Sequence, residues 1–567
     1  MNFVKSPVSL AVSTALLFAA ASASAYVPTS NTDTDLVVYW AGATASSLSA
    51  QELAINSLCD TDTDLLYVKA AANDAPGNDW ALACRTAAAG ATVSGLPTGL
   101  RILVIKRDRG GSGVGVGPLQ VNQTIPFLTV NATNCSIPLT AGVNGAPAIG
   151  LPGGAPGTFV PLTGCTATYT TSALVEMGTS DIEPSKFFGI NTPVVDVGSG
   201  NVGFPFVNGT GFKTQVSLAG LAFNTPVTLN MYRALQTAQF GAGSVCNPAN
   251  VDFNTVLPAV PGVNPRTDVT NAESEACMPS LTRQEINSIL TGKVVTWNQL
   301  LNAAGTAVLP AQAVQICRRV EGSGTQATMN ALIGNWPCDA NAADNAIDII
   351  TPRNTASAAL LLNSGAGDVD NCLNTFNGTA NPNAIGVLSI EGRNVQKNRG
   401  WRYIKIDGVA PTLKNIHGGD YWLWSQQSAQ LRLDPPALTA NTPIGASDSL
   451  VNKATVFTAL TTGANGLNSL PTLRKLNLPP SLTNCTTGAN LSECGSLYTF
   501  GQSGWLATPN SGLLYDTVLS VDPANAAQRP VNVYTREVTA GRVNICQTPT
   551  KSTAGGNAAK GTIVTTP

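Results

Sequence analysis

Between residues 35 and 40 the chain runs Asp35-Leu36-Val37-Val38-Tyr39-Trp40 and then breaks into Ala41-Gly42-Ala43-Thr44. An apolar run that stops at small residues predicts a buried strand ending in a loop. The pattern returns at Ile102-Leu103-Val104-Ile105, which leads through Lys106-Arg107-Asp108-Arg109 into Gly110-Gly111-Ser112-Gly113. Glycine lets that turn approach a ligand closely, and the charged tetrapeptide before it reads as a solvated turn. From Gly115 to about Thr171 the chain is rich in Gly, Pro and Thr, which predicts an inserted, loop-rich excursion that ends at Glu176-Met177-Gly178-Thr179-Ser180-Asp181. The period then changes. Thr282-Arg283-Gln284-Glu285 fits a capping box, Ile286, Ile289 and Leu290 recur on one face, and Gly292 stops the helix. A further strand is expected from Val314 to Cys317, followed by Arg318-Arg319-Val320-Glu321-Gly322-Ser323-Gly324-Thr325 and a helical pattern with Met329, Leu332 and Ile333 inward. Strands alternating with helices predict α/β layers with a largely parallel sheet. Tyr421-Trp422-Leu423-Trp424 reads as core or interdomain packing, and His417 as a surface residue of a Gly-rich turn.

Composition narrows what such layers can do. Only 11% of the 567 residues are charged, against ~25% in an average soluble domain. Lys plus Arg is 31 and Asp plus Glu is 33, so the basic excess of a nucleic-acid binder is missing. The chain has 1 histidine, which rules out multi-histidine metal sites and leaves any Ser-His-Asp or Cys-His mechanism dependent on His417. At the N-terminus Lys5 precedes a mostly apolar stretch from Leu10 to Ala21 and then Ala23-Ser24-Ala25, the three regions of a secretory signal peptide with cleavage near Ala25. The run is too short to span a bilayer, and no Cys follows the site, so no membrane anchor is expected in the mature chain. All 12 cysteines lie beyond it, without a C-x-x-C pair, which favours disulfides over zinc or redox chemistry. Near neighbours in sequence are the simplest partners: Cys59 with Cys84, Cys135 with Cys165, Cys246 with Cys277, and Cys485 with Cys494.

Four short loops carry the candidate chemistry: Gly42-Ala43-Thr44-Ala45, Gly110-Gly111-Ser112-Gly113, Gly178-Thr179-Ser180-Asp181 and Arg319 through Thr325. Each follows an apolar strand and offers small residues, hydroxyls or free backbone N–H groups, which is what a desolvated oxyanion requires. An Arg fork pairs with two oxygens at once. Asp181 fits beside an anion only if that anion carries a proton, because a carboxylate accepts such a bond and repels a fully deprotonated tetrahedral ion.

Taken in order, these loops resemble the periplasmic phosphate-binding proteins of ABC transporters, of the type II periplasmic-binding-protein superfamily. Leu281 to Ile286, Gly292-Lys293-Val294 and Trp297-Asn298 are similar to that family's helix and following segment. Arg318-Arg319 with Gly322-Ser323-Gly324-Thr325 resembles its R-x-x-G-S-G-T anion loop. Ala384 to Val387, Ile406 to Thr412 and Gly418 to Tyr421 resemble its return crossover. The resemblance implies a two-lobed α/β fold with mixed, mainly parallel sheets, loop-rich insertions and a C-terminal extension. Its expected divisions are a signal peptide at 1–25, lobe 1 at 26–225 with the insertion 115–171, lobe 2 at 226–404, and 405–567 returning to lobe 1 before the extension. It implies anion contacts from Thr44, the backbone of Ala45, Ser112, Asp181, Arg319, Ser323, Gly324 and Thr325, with Glu321 holding Arg319. The expected function is that of an exported binding protein, periplasmic or extracellular, for phosphate or a related oxyanion. It would need no cofactor or metal, and an ABC permease could be its partner. A secreted phosphatase of the same fold and a ligand-free adhesive protein are the alternatives.

Overall fold

The computed structural model describes residues 34–45, positions 50, 54, 58 and 59, and residues 66–69, 79–86, 95–130, 160–162, 171–192, 212–257, 270–338, 359–390, 399–411, 415–416, 419–432, 441, 443–461, 505–506, 534–539 and 542–551. The segment 1–25, His417 and the pairs Cys135/Cys165 and Cys485/Cys494 lie outside the described residues, as does most of the 115–171 insertion.

The first half of the chain builds β1 (Leu36–Gly42), β2 (Leu66–Lys69), β3 (Trp80–Arg85), β4 (Arg101–Arg107), β5 (Thr124–Phe127), β6 (Val160–Leu162), β7 (Thr171–Leu174), β8 (Met177–Ser180) and β9 (Phe212–Asn224). After β10 (Val227–Thr228) and β11 (Ser280–Leu281) come β12 (Gln315–Arg319), β13 (Ala359–Asn363), β14 (Ala384–Gly386), β15 (Leu388–Ser389), β16 (Trp401–Arg402), β17 (Lys405–Ile406), β18 (Trp424–Arg432) and β19 (Trp505–Leu506). The principal helices are α1 (Leu229–Gln239), α2 (Arg283–Leu290), α3 (Gly324–Leu332), α4 (Ala366–Asn377) and α5 (Leu450–Thr461).

Two sheets result. The larger has the order β15-β9-β18-β8-β1-β4-β3-β2-β6, with β19 on β9, and the smaller has the order β13-β12-β14-β10-β16. The apolar run of β1 is buried on both faces as expected. Leu36, Val38 and Trp40 join one core cluster, while Val37 and Ala41 join another on the opposite side. Helix α2 begins at the expected cap, where the Thr282 side chain accepts from Glu285 N–H and the Glu285 carboxylate accepts from Thr282 N–H. Tyr421, Leu423 and Trp424 are core residues.

Pairing departs from the largely parallel expectation. β1 lies parallel to β4 and β8, and β12 lies parallel to β13 and β14. β18 runs antiparallel to both β8 and β9, and β3 antiparallel to β4. A parallel neighbour needs a crossover connection, whereas consecutive antiparallel strands such as β3 and β4 do not. The described parts of the insertion add strands: β6 extends the sheet edge beside β2, and β5 pairs with β7.

Disulfides join Cys59 to Cys84 and Cys246 to Cys277, as sequence proximity suggested. Two others bridge long separations, Cys317 to Cys372 across 55 residues and Cys338 to Cys546 across 208. The second ties the chain beyond α3 to a C-terminal segment docked on β18. There Arg536 donates to the carbonyls of Trp424, Trp422, Ile545 and Gln547, and Ile545 N–H donates to the Glu183 carboxylate. Among the described residues no helix is long and apolar enough to cross a membrane.

Candidate oxyanion site

Strand ends place the loops. In register, Ala41 stands beside Arg107 on one side and Gly178 on the other, so β1, β4 and β8 finish at one level. Loops at the carboxyl ends of parallel strands are where open α/β sheets bind ligands. β12 ends in the same way in the smaller sheet, between two parallel neighbours, and feeds directly into α3.

The two sets of loops meet. Gly113 N–H donates to Gly322 O at 2.7 Å. Gly111 has φ +66°, a left-handed conformation that favours glycine, and a Cβ there would sit 2.9 Å from Ser323 Cα. Gly322 is also left-handed, at φ +85°, and turns the chain so that Ser323 caps α3 by accepting from Gln326 N–H. The first N–H groups of a helix have no partner within it, and here they begin at Gly324. That residue has no room for a side chain, since a Cβ would fall 2.2 Å from Ser112 Oγ and 2.7 Å from Asp181 Cβ.

Side chains converge on the same point. Arg319 is 0% exposed; its Nη2 donates to Thr44 Oγ1 at 2.9 Å and to Ser364 O at 2.7 Å, and its Nε donates to Asn363 O at 3.3 Å. Its remaining nitrogen, Nη1, is buried with no hydrogen-bond partner. Burial pulls the guanidinium down to about 10, opposed by the carboxylates of Asp181, Asp368 and Asp108, so it stays charged at neutral pH. Asp181 N–H donates to Ser112 Oγ at 3.0 Å. Its Oδ1 accepts from Gln427 Nε2 at 2.7 Å and its Oδ2 from Thr325 Oγ1 at 3.4 Å. Burial raises the Asp181 carboxyl above its ordinary range, against the pull of Gln427, Arg319, Ser112 and Lys106.

Arg319 and Thr44 are thus hydrogen-bonded to each other, Ser112, Asp181, Gly324 and Thr325 pack together, and the charges of Arg319 and Asp181 couple the two groups, with Ser323 next in the chain and Ala45 buried one residue beyond Thr44. Glu321 is the exception. Its carboxylate lies 3.8 Å from Arg318 Nη2, not against Arg319. β12 alternates its side chains, so Arg318 and Arg319 point to opposite faces, and Glu321 serves the residue three before it.

Local pattern missed other participants. Lys106, Arg107 and Asp108 are buried at 0–1% exposure, correcting the expectation of a solvated turn. Lys106 Nζ is ion-paired with Asp108 and donates to Gly42 O and Ala43 O, so it braces the first loop from beneath. Asp79 accepts from the backbone N–H groups of Asp108 and Arg109 and fixes the second loop. Gln427 and Ser425 reach Asp181 from β18. The sequence signal was a polar run, Ser425 to Gln430, enclosed by Trp424 and Leu431. Among the described residues no group of three or more His, Cys, Asp and Glu could hold a metal ion.

No protein-family model matches the chain. No curated protein matches it either. Among solved structures, the chain is similar to a putative phosphate ABC transporter substrate-binding protein from Clostridium perfringens, solved with bound phosphate. The identity is 15%, with 51% of this chain and 73% of that one covered at a TM-score of 0.25. It is also similar to an ABC-type phosphate transport receptor from Vibrio cholerae, at 14% identity over 50% of this chain and 78% of that one, TM-score 0.23. A third structure, PstS from Borrelia burgdorferi, is 14% identical over 39% of this chain and 61% of that one, TM-score 0.22. At this degree of likeness, function has to be argued from the site.

Proposed function

We propose that this chain is an exported solute-binding protein that takes a tetrahedral oxyanion, inorganic phosphate or a close analogue, at the junction of the two sheets. In this reading the sheets belong to two lobes, 26–225 with the return from 405, and 226–404, with β15 of the second range added to the edge of the larger sheet. The protein works in the periplasm or outside the cell and delivers its ligand to an ABC permease.

The observation that carries the reading is Arg319, a fully buried guanidinium with Nη1 unpartnered, hydrogen-bonded to Thr44 and in charge interaction with Asp181. A buried donor left unmade costs roughly 1–3 kcal/mol, more when charged, and an anion removes that cost. The anion replaces the direct bond from Arg319 Nη2 to Thr44 Oγ1, so that both groups and the N–H groups at Gly324 and Thr325 turn onto its oxygens. Binding here is electrostatic and needs no nucleophile or metal.

Titration calorimetry on protein stripped of ligand tests this. Phosphate and arsenate are expected to give heat at neutral pH, and Arg319→Ala is expected to weaken binding by about 3 kcal/mol or more. The absence of heat with phosphate, arsenate and phosphate esters alike would remove the reading.

A further inference from the structure

Strand β18 is buried along its whole length, although Ser425, Gln426, Gln427, Ser428 and Gln430 run through it. Buried amides and hydroxyls are costly unless hydrogen-bonded. Gln426 Oε1 accepts from Thr535 Oγ1 and Arg536 N–H, and Gln430 Nε2 donates to Ser428 Oγ. These bonds hold the fold together. Gln427 differs in its target, because its Nε2 donates to Asp181 Oδ1 in the candidate site at 2.7 Å; its Oε1, like Gln426 Nε2 and Gln430 Oε1, is buried with no hydrogen-bond partner.

Backbone irregularity accompanies it. Pairing between β18 and β9 jumps from Gln426–Gly220 to Ser428–Ser217, so two residues of β9 stand opposite Gln427. Bulges beside binding sites re-aim side chains. The result at Asp181 is asymmetric. Oδ1 has a short bond from an amide, whereas the Thr325 hydroxyl stands 3.4 Å from Oδ2.

We propose that Gln427 is a positioning residue for anion selection: by donating to Oδ1 it holds Asp181 ionised with Oδ2 presented to the ligand, so that the site accepts a tetrahedral oxyanion that still carries a proton. The inference rests on the anion-binding reading and adds the group that enforces the choice. An ionised carboxylate can only accept, so Oδ2 takes the proton of a monohydrogen or dihydrogen oxyanion and repels one that has none. The charges facing Asp181 are Arg319 from β12 and Lys106 from β4, both favouring the ionised form, while Asp108 and Asp368 act on Arg319. Burial opposes them, and Gln427 is the largest influence working against it.

The test is calorimetry with phosphate and with sulfate from pH 5 to 9 on the full chain, comparing wild type, Gln427→Leu and Gln427→Glu. Wild type is expected to prefer phosphate by a factor of about 100 or more. Gln427→Leu is expected to cut that preference at least tenfold and move the acid limb of phosphate binding up by about one pH unit. Gln427→Glu is expected to regain the preference only on acidification, when the new carboxyl carries a proton to donate. A loss of affinity equal for both anions, with an unmoved acid limb, would overturn the proposal. So would a Gln427→Glu protein whose selectivity ignores pH, a readout that remains if Gln427→Leu fails to fold. Wild type binding neither anion would instead defeat the anion-binding reading itself.

Discussion

At the scale of single residues, the site sets function against stability. Burial raises the Asp181 carboxyl above its ordinary value, so over the interval between the two values the folded protein holds a proton that the unfolded chain has lost. Stability from this group is therefore present at low pH and is lost as pH rises through the raised value. Above it the buried charge is a cost borne for ligand choice. Asp181→Asn is accordingly expected to raise the melting temperature of the ligand-free protein at neutral pH while eroding the preference for phosphate over sulfate. A lower melting temperature at neutral pH would contradict this account of burial. Arg319, Ser323 and Thr325 were legible as candidates because a hydroxyl- and glycine-bearing loop after a strand is a local pattern. Gln427 was not, because it reaches Asp181 across 246 residues of chain. The burial of Lys106 likewise depends on the end of β1 and the residue after it, Gly42 and Ala43, whose carbonyls it meets 64 and 63 residues away. Local pattern registers which polar groups are present; only the fold shows which have lost water and found each other.

Among elements, the close approach of β8 to the turn at Ser112–Gly115 decides the site's geometry. A Cβ at Gly178 would lie 1.8 Å from Gly115 O and 2.8 Å from its carbonyl carbon, both backbone atoms that cannot swing aside. Gly178→Ala therefore forces strand and turn apart, and the turn carries Ser112, which accepts from Asp181 N–H. The expected cost is about 3 kcal/mol by denaturant melting, with weaker phosphate binding in the folded fraction. An unchanged midpoint would show that the turn shifts freely. Elements fixed by their own residues were legible here: α2 starts at its capping box and β1 at its apolar run. The direction of β18 was not, since its neighbours β8 and β9 are chosen by tertiary packing and its polar composition resembles a loop. The expected parallel sheet became mixed because long β18 runs antiparallel between β8 and β9.

For the whole molecule, the C-terminal segment is part of the machinery that holds the site. Arg536 spreads its donors over four carbonyls and lies over the Trp424 ring at 4.9 Å. Cys546 then fastens this segment to Cys338, beyond α3. Replacing both cysteines with Ser is expected to cost up to about 5 kcal/mol, since the bond closes a long loop, and to speed phosphate release in stopped-flow measurements. Equal stability and release rates would mean that the docked segment suffices alone. The bond also makes the finished fold a proof of length. A chain that emerges amino end first presents Cys338 long before its partner, while the cysteines nearest to it in sequence, Cys317 and Cys372, belong to each other. A chain that stops after Cys494 but short of residue 546 keeps every cysteine except Cys546, an odd number, and leaves Cys338 to seek another copy. Such truncated chains are expected to run as disulfide-linked dimers on a non-reducing gel, so that incompleteness becomes visible as a change of mass.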